Sequence, residues 1–200
     1  MLLIVTPVLG NNTLNSLRNW DFGICFCNIV TVNYSSYCAI IMQIRTILQS
    51  DNSALAKIIR ATLTEFGANH PGTVYYDEST DHLFELFQNP RSVYFVAQTD
   101  DGQIMGGGGI FPTEGLPSDT CELVKMYLLP EARGKGLGGS IIEKCLLCAK
   151  EYGFDRIYIE SMPELKLALK VYQRFGFKYL SSPLGDSGHF GCDLWMVKSI

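Results

Sequence analysis

The chain has 200 residues, of which 47% are hydrophobic and 12% aromatic, enough to bury the core of one ordinary domain. A formal net charge of -4 with no block of like charges argues against a phosphate backbone as ligand, so nucleic acid is not an expected partner, whereas a small amine or a peptide amine is compatible. Seven scattered cysteines are an odd number in a chain too large to need disulfide staples, which points to reduced thiols and a cytoplasmic setting.

Residues 1–41 carry only Arg18 and Asp21 as charged side chains. They lack a basic leader region and an unbroken run of the ~18 apolar residues that would span a bilayer, so neither a signal peptide nor a membrane anchor is expected. They are read as an N-terminal extension whose place in the natural protein stays open, with a single domain over residues 42–200.

Gln43 to Leu48 alternates as a short strand. Ser50, Asp51 and Ser53 then offer capping oxygens ahead of Leu55, Ile58, Ile59, Leu63 and Phe66, which fall on one helical face. Asp77 to Gln88 predicts a second, shorter helix that ends at Asn89-Pro90. Ser92 to Thr99 is rich in β-branched and aromatic residues, and Asp100-Asp101-Gly102 turns it into a strand over Ile104 to Phe111. Four glycines at 106 to 109 in that strand mark a bulge, a close approach of another backbone or ligand, or structural tolerance.

Cys121 to Leu129 predicts the next strand, and Gly134 to Tyr152 a helix with an apolar stripe through Leu137, Ile141, Ile142, Cys145, Leu146 and Ala149. A strand over Arg156 to Ser161 completes a βαβ unit, so its two strands should run parallel. Pro163 is read as the first turn of a helix reaching Phe175, with Leu165, Ala168, Leu169 and Tyr172 on one side. Phe177 to Leu180 and Cys192 to Lys198 close the chain as strands. Cys145 and Cys148 form a CxxC inside the long helix, without a second pair. Zinc needs four convergent ligands, so they read as packed thiols and no metal is expected.

The informative element is Arg133-Gly134-Lys135-Gly136-Leu137-Gly138, after a strand and at the start of a helix. Unsatisfied amides and the positive end of the helix dipole favour an anion there, and glycines let the backbone close around a diphosphate. The loop lacks the Lys-Ser/Thr pair of a P-loop and the spacing of GxGxxG.

In context, Glu122 through Gly138 resembles the central motif of the GNAT acetyltransferases: a strand, Pro-x-x-Arg-Gly-x-Gly-x-Gly, then a helix. The family's R/Q-x-x-G-x-G/A pattern falls on Arg133, Gly136 and Gly138. Downstream, Ala168, Tyr172, Gly176 and Phe177 match its A-x-x-x-Y-x-x-x-G-F segment. The likeness covers about residues 42–198.

The resemblance implies the GNAT fold: a mixed, mostly antiparallel sheet of six or seven strands with helices on both faces and two splayed parallel central strands. It implies acetyl-CoA as co-substrate and direct transfer of the acetyl group to a primary amine. Arg133, Gly134, Lys135, Gly136, Leu137, Gly138 and Gly139 would form the pyrophosphate loop, and Met126 and Leu128 would pair through their backbones with the pantetheine arm. The Met126 amide would polarise the thioester carbonyl.

Glu122 stands where many members carry a general base, four residues before Met126, and is placed on the same strand face by the period of two. Its plain alternative is a solvated carboxylate at a strand end. Tyr172 matches a tyrosine able to protonate the leaving thiolate, against the alternative of an amphipathic core residue. Leu165 departs from the family, which often carries asparagine there. His189 reads as a base or a substrate contact, and at least equally as a turn residue with no such duty. The acceptor side is expected at 66–85 and 181–192. A non-catalytic module that binds or senses acyl-CoA is the rival reading, and a homodimer is compatible with either.

Overall fold

The computed structural model describes residues 42–200, so the extension read over 1–41 lies outside the described residues. The chain runs β1 (Met42–Thr46), α1 (Asn52–Glu65), α2 (Leu83–Leu86), β2 (Val93–Thr99), β3 (Ile104–Phe111), β4 (Thr120–Leu128), α3 (Leu137–Glu151), β5 (Arg156–Ser161), α4 (Lys166–Arg174), β6 (Lys178–Leu180) and β7 (Leu194–Ser199). The strands form one seven-stranded sheet in the order β1-β2-β3-β4-β5-β7-β6. The β4–β5 pair is parallel and the other neighbours are antiparallel. This is the expected architecture.

Alternation along the strands feeds two cores, one on each face of the sheet. Cys121, Leu123, Ile157, Ile159 and Met196 pack with Leu137, Ile141, Ile142, Cys145 and Ala149 of α3 and with Leu169 and Tyr172 of α4. Tyr94 and Val96 instead pack with Leu55, Ile59 and Leu63 of α1 and Leu83 of α2. Each buried Leu or Ile contributes roughly 1.5–3 kcal/mol, so the helical stripes read from the sequence hold the layers together. Among the described residues no helix is long and apolar enough to cross a membrane.

Asp51 starts α1 differently from a simple cap. Its carboxylate takes two guanidinium bonds from Arg45, at 2.6 and 2.9 Å, and accepts the Leu48 amide at 2.8 Å. It therefore ties the end of β1 to a 3-10 turn that leads into the helix.

Two helices depart from expectation. The continuous helix over Asp77–Gln88 is replaced by a 3-10 turn, Glu78–Thr80, and the single turn α2. The buried Thr80 hydroxyl donates to the Val74 carbonyl at 2.8 Å, the Asp77 carboxylate is drawn inward to Lys125, and His82 leaves the helical region with φ -128°. These tertiary bonds outweigh a weak local preference. Pro163 lies three residues before α4 rather than in its first turn: the Leu165 amide bonds to the Met162 carbonyl and Leu165 is the cap, so the helix begins at Lys166.

The glycine run of β3 has a packing explanation. A Cβ on Gly107 would stand 2.4 Å from the Phe95 carbonyl oxygen and 2.5 Å from the Tyr94 ring, and one on Gly109 2.3 Å from the Val93 carbonyl oxygen. Neighbouring strand and rings leave no room for side chains there.

Candidate active site

The site is built around an irregularity in β4. Gly109 pairs with Val124 and Gly107 with Tyr127, so three steps along β4 oppose two along β3. The extra residue is accommodated at Lys125, whose φ is +51°. The Tyr94 hydroxyl holds this bulge by donating to the Lys125 carbonyl at 2.9 Å, and Lys125 Nζ reaches Asp77 at 2.9 Å and Thr80 Oγ1 at 3.2 Å. A left-handed conformation costs a non-glycine residue about 1–2 kcal/mol, which these bonds offset.

The bulge reverses the alternation of the strand. Before it, Cys121 and Leu123 face the α3 core and Val124 the α1 core; after it, Met126 and Leu128 pack against the α3 core and Tyr127 against the α1 core. Glu122 therefore shares the α1 face with Val124, and the same-face placement of Glu122 and Met126 is corrected. A period of two cannot see an inserted residue. The bulge also marks the splay. Thr120, Cys121 and Glu122 pair with Arg156, Ile157 and Tyr158, and from Leu123 onward the two parallel strands part.

Two cavities open at this divergence. The larger, about 530 Å³, runs along Met126 and Leu128 to Gly134, Gly136, Gly138 and Gly139, with Tyr172 and Phe175 of the α4 region opposite. The smaller, about 270 Å³, holds Glu122, Asp77, Glu160 and His189. They share a wall made by Leu123, Lys125, Tyr127, Glu160, Ser161 and Leu165. Thus the two expected catalytic side chains line different cavities that meet at the splay.

At the floor of the larger cavity, Gly136 caps α3 in the left-handed region with φ +83°. The Ser140 amide returns to the Gly136 carbonyl at 3.0 Å, so the amides of Leu137, Gly138 and Gly139 precede the first helical bond and suit an anion. The site therefore fits a diphosphate. Arg133 is committed elsewhere: its guanidinium forms a bidentate pair with Glu65 at 2.6 and 2.7 Å, its Nε donates to the Leu128 carbonyl at 2.8 Å, and it lies 5.1 Å over the Phe66 ring. Lys135 is half-buried on the same loop. Tyr172 is buried, edge-on to Phe177 at 6.0 Å, and burial raises its phenol above the ordinary range, so it stays protonated.

In the smaller cavity Glu122 is 4% exposed and accepts a 2.5 Å hydrogen bond from Thr113 Oγ1. Burial raises it to about 7, with a further push from the charge of Glu160, while the Thr113 bond and the charges of His189 and Lys125 act the other way. Glu160 follows Tyr158 by two residues and so shares its face, beside Glu122 on the paired strand. Its oxygens accept from Tyr158 at 2.9 Å and from Ser187 at 2.5 Å. His189 places Nε2 3.1 Å from Asp77 Oδ2 and Nδ1 3.9 Å from Glu160. Burial works against the charge on both partners. On Asp77, however, the His189 bond and the Lys125 charge prevail and hold it at about 2, and on His189 the Asp77 bond and charge prevail and raise it. Burial lowers Lys125, and Asp77 partly restores it.

Sequence reasoning named Glu122 and left His189 open, and it missed Asp77, Lys125, Thr113 and Glu160. Alternation against Ile157 and Ile159 carried a signal for Glu160. Asp77 reads in the sequence only as the start of the second helix, and its approach to His189 spans 112 residues of chain.

The same sheet is found among solved acetyltransferases. The acetyltransferase of the GNAT family from Staphylococcus aureus MU50 superposes with a TM-score of 0.70 at 17% identity, covering 79% of this chain and 98% of that one. The PaiA N-acetyltransferase of Thermoplasma acidophilum, solved in complex with coenzyme A, gives 0.62 at 17% identity, covering 80% and 99%. At such identities the likeness is one of fold. Residues 55–177 match the profile of the Acetyltransferase (GNAT) family, and the chain belongs to that family. The Escherichia coli (strain K12) protein named Uncharacterized N-acetyltransferase YjgM is 37% identical over 157 residues, 78% of this chain and 93% of its own length.

Proposed function

We propose that this protein is an acetyl-CoA-dependent N-acetyltransferase acting on the primary amine of a small molecule or peptide by direct attack within a ternary complex. The observation that carries the reading is the meeting of the two cavities at the splay of β4 and β5, with a glycine-lined helix start at one end and a buried carboxylate poised near neutrality at the other.

In this reading the amides from Gly134 to Gly139 bind the diphosphate, and the backbones of Met126 and Leu128 bind the pantetheine arm. Arg133 secures the loop by holding the Leu128 carbonyl. An alkylammonium has no lone pair, so Glu122 takes its proton, directly or through a water. The nitrogen then bonds to the acetyl carbon as the carbon–sulfur bond breaks, the Met126 amide polarising the carbonyl oxygen. Tyr172, kept protonated by burial, supplies the proton to the departing thiolate and is reprotonated by the second proton that the new amide nitrogen sheds, directly or through a water. The free thiols of Cys121, Cys145, Cys148 and Cys192 support a reducing, cytoplasmic setting.

The test is thiol release from acetyl-CoA by the purified protein across a panel of amines. Release that depends on an added amine and falls in Glu122→Gln with coenzyme affinity retained is expected. Tight coenzyme binding without turnover of any amine would make the protein a sensor instead.

A further inference from the structure

We propose that Glu160 is the residue that captures the acceptor as an ammonium ion where the two cavities meet, and that the acceptor is a compact aliphatic amine with no carboxylate beside its nitrogen. The inference rests on the acetyltransferase reading and narrows its substrate.

The first support is position. Glu160 lines both cavities, whereas Glu122 lines only the smaller one. A nitrogen approaching a thioester in the larger cavity must pass the shared wall, and Glu160 is the carboxylate on that wall. Its orientation is fixed, because the Tyr158 hydroxyl holds Oε1 and the Ser187 hydroxyl holds Oε2. Each carboxylate oxygen has a second lone pair for another donor.

The second support is the balance of charge in the smaller cavity. The charged side chains lining it are Asp77 from the segment before α2, Glu122 and Lys125 from β4, Glu160 from β5 and His189 from the loop before β7. Both cationic groups are spent on Asp77, Lys125 at 2.9 Å and His189 at 3.1 Å. The Glu160 side chain is only 5% exposed, its partners within hydrogen-bond distance are neutral hydroxyls, and its nearest cationic group, His189 Nδ1, stands off at 3.9 Å. Among the described residues Glu122 has no ion pair within 4 Å, and its hydrogen-bond partner is Thr113. A buried carboxylate is costly without a counter-charge, and a cationic ligand supplies one. A carboxylate-bearing acceptor finds both cationic groups already hydrogen-bonded to Asp77 and meets Glu160 and Glu122 instead.

The third support is size. A cavity of about 270 Å³ lies just below the ~300–1,000 Å³ usual for small-molecule sites, which suits a compact acceptor. Capture and proton removal then divide between two carboxylates: Glu160 holds the ammonium at the shared wall and Glu122 receives the proton.

The experiment compares n-butylamine with 2-aminopentanoate, the same skeleton bearing a carboxylate on the amino carbon, by thiol release from acetyl-CoA in wild type, Glu160→Gln and Glu122→Gln. Wild type should favour butylamine by about tenfold or more, the effect of one charge-assisted contact. Glu160→Gln should raise the butylamine KM by about tenfold, with a far smaller change in kcat and none in coenzyme KM, and should narrow the gap between the two amines. Removing its charge should also move the acid limb of kcat/KM to lower pH, since Glu122 loses a like-charged neighbour. Glu122→Gln should lower kcat instead. Equal use of the two amines by wild type overturns the proposal without any variant. An unchanged butylamine KM in a folded Glu160→Gln also overturns it. Failure to turn over either amine while acetyl-CoA binds removes this acceptor class and leaves the coenzyme site standing, whereas failure to bind acetyl-CoA removes the underlying reading as well.

Discussion

Thr113 Oγ1 donates to Glu122 Oε2 at 2.5 Å, from the loop just after β3 onto the carboxylate buried at the divergence of β4 and β5. The bond favours the charged carboxylate and so opposes burial, which by itself would carry Glu122 higher than about 7. Thr113→Val keeps the shape and removes the donor. The acid limb of kcat/KM should therefore move to higher pH, with a fall in activity at pH 7 that recovers at pH 9. A pH–rate profile of the variant checks this, and a limb unmoved by the loss of the hydroxyl would take Glu122 out of the observed ionisation.

Glu122 should also trade stability for chemistry. Its folded-state value is raised from an ordinary 4.5 to about 7, so the folded protein binds a proton more tightly than the unfolded chain. That stabilisation is complete below about pH 4.5 and is lost as pH rises through 7. At 1.36 kcal/mol per unit, the loss amounts to about 3 kcal/mol at most. Glu122→Gln has no charge to bury and still accepts from Thr113. It should be more stable than wild type at pH 8.5, by up to about 3 kcal/mol, and no more stable at pH 4.5, while turnover near neutrality falls by ~10²-fold or more. Urea unfolding at the two pH values, paired with kcat, checks both halves.

How much of this could be read from the sequence follows from the range of the interactions. Helices α1 and α3 were legible because Leu55, Ile59 and Leu63, and Leu137, Ile141 and Cys145, repeat at helical spacing and face the sheet. The glycine loop was legible because strand, turn and helix start are contiguous in the chain. The face of Glu122 relative to Met126 was not, because it depends on a bulge at Lys125 that is held by Tyr94 from another strand. Nor was the end of the helix expected from Asp77, whose side chain is committed to Lys125 and His189. Local periodicity reports neither a register shift nor a charge partner drawn from elsewhere in the fold.

Arg133 offers a test in which the sign decides. Its guanidinium is paired with Glu65 and its Nε holds the Leu128 carbonyl, so in the proposed reading it acts on the coenzyme groove by positioning. The pair is partly exposed, with side chains 24% and 41% accessible, which limits its worth to about 0.2–1 kcal/mol. Glu65→Ala should loosen Arg133 and weaken coenzyme binding about two- to fivefold, in the same direction as Arg133→Ala. Were Arg133 to bind the diphosphate itself, removing Glu65 would free its charge and tighten binding. Calorimetric titration of coenzyme A into the two single variants and the double variant separates the cases.

Two glycines should fail in different ways on substitution by alanine. Gly136 needs its left-handed conformation, φ +83°, to start α3, yet a Cβ there meets no atom within 4 Å. The cost to the fold is thus the backbone strain, about 1–2 kcal/mol. The start of α3 relaxes to relieve it, which turns the amides of Leu137 to Gly139 away from their common focus. Gly136→Ala should therefore stay folded with a modestly lowered Tm and lose coenzyme affinity by about tenfold or more, close to the effect of one charge-assisted contact. Gly107 has no such conformational need, but its Cβ would press on the Phe95 carbonyl and the Tyr94 ring, at 2.4 and 2.5 Å. Tyr94 holds the bulge that shapes the site, and overpacking of this kind costs roughly 1–3 kcal/mol or more. Gly107→Ala should thus lose more stability than Gly136→Ala and, in the fraction that remains folded, less coenzyme affinity. Thermal unfolding and coenzyme titration of both variants test that crossed pattern. A Gly136→Ala protein that binds coenzyme A as wild type does would show that the amides at the start of α3 are not its diphosphate site.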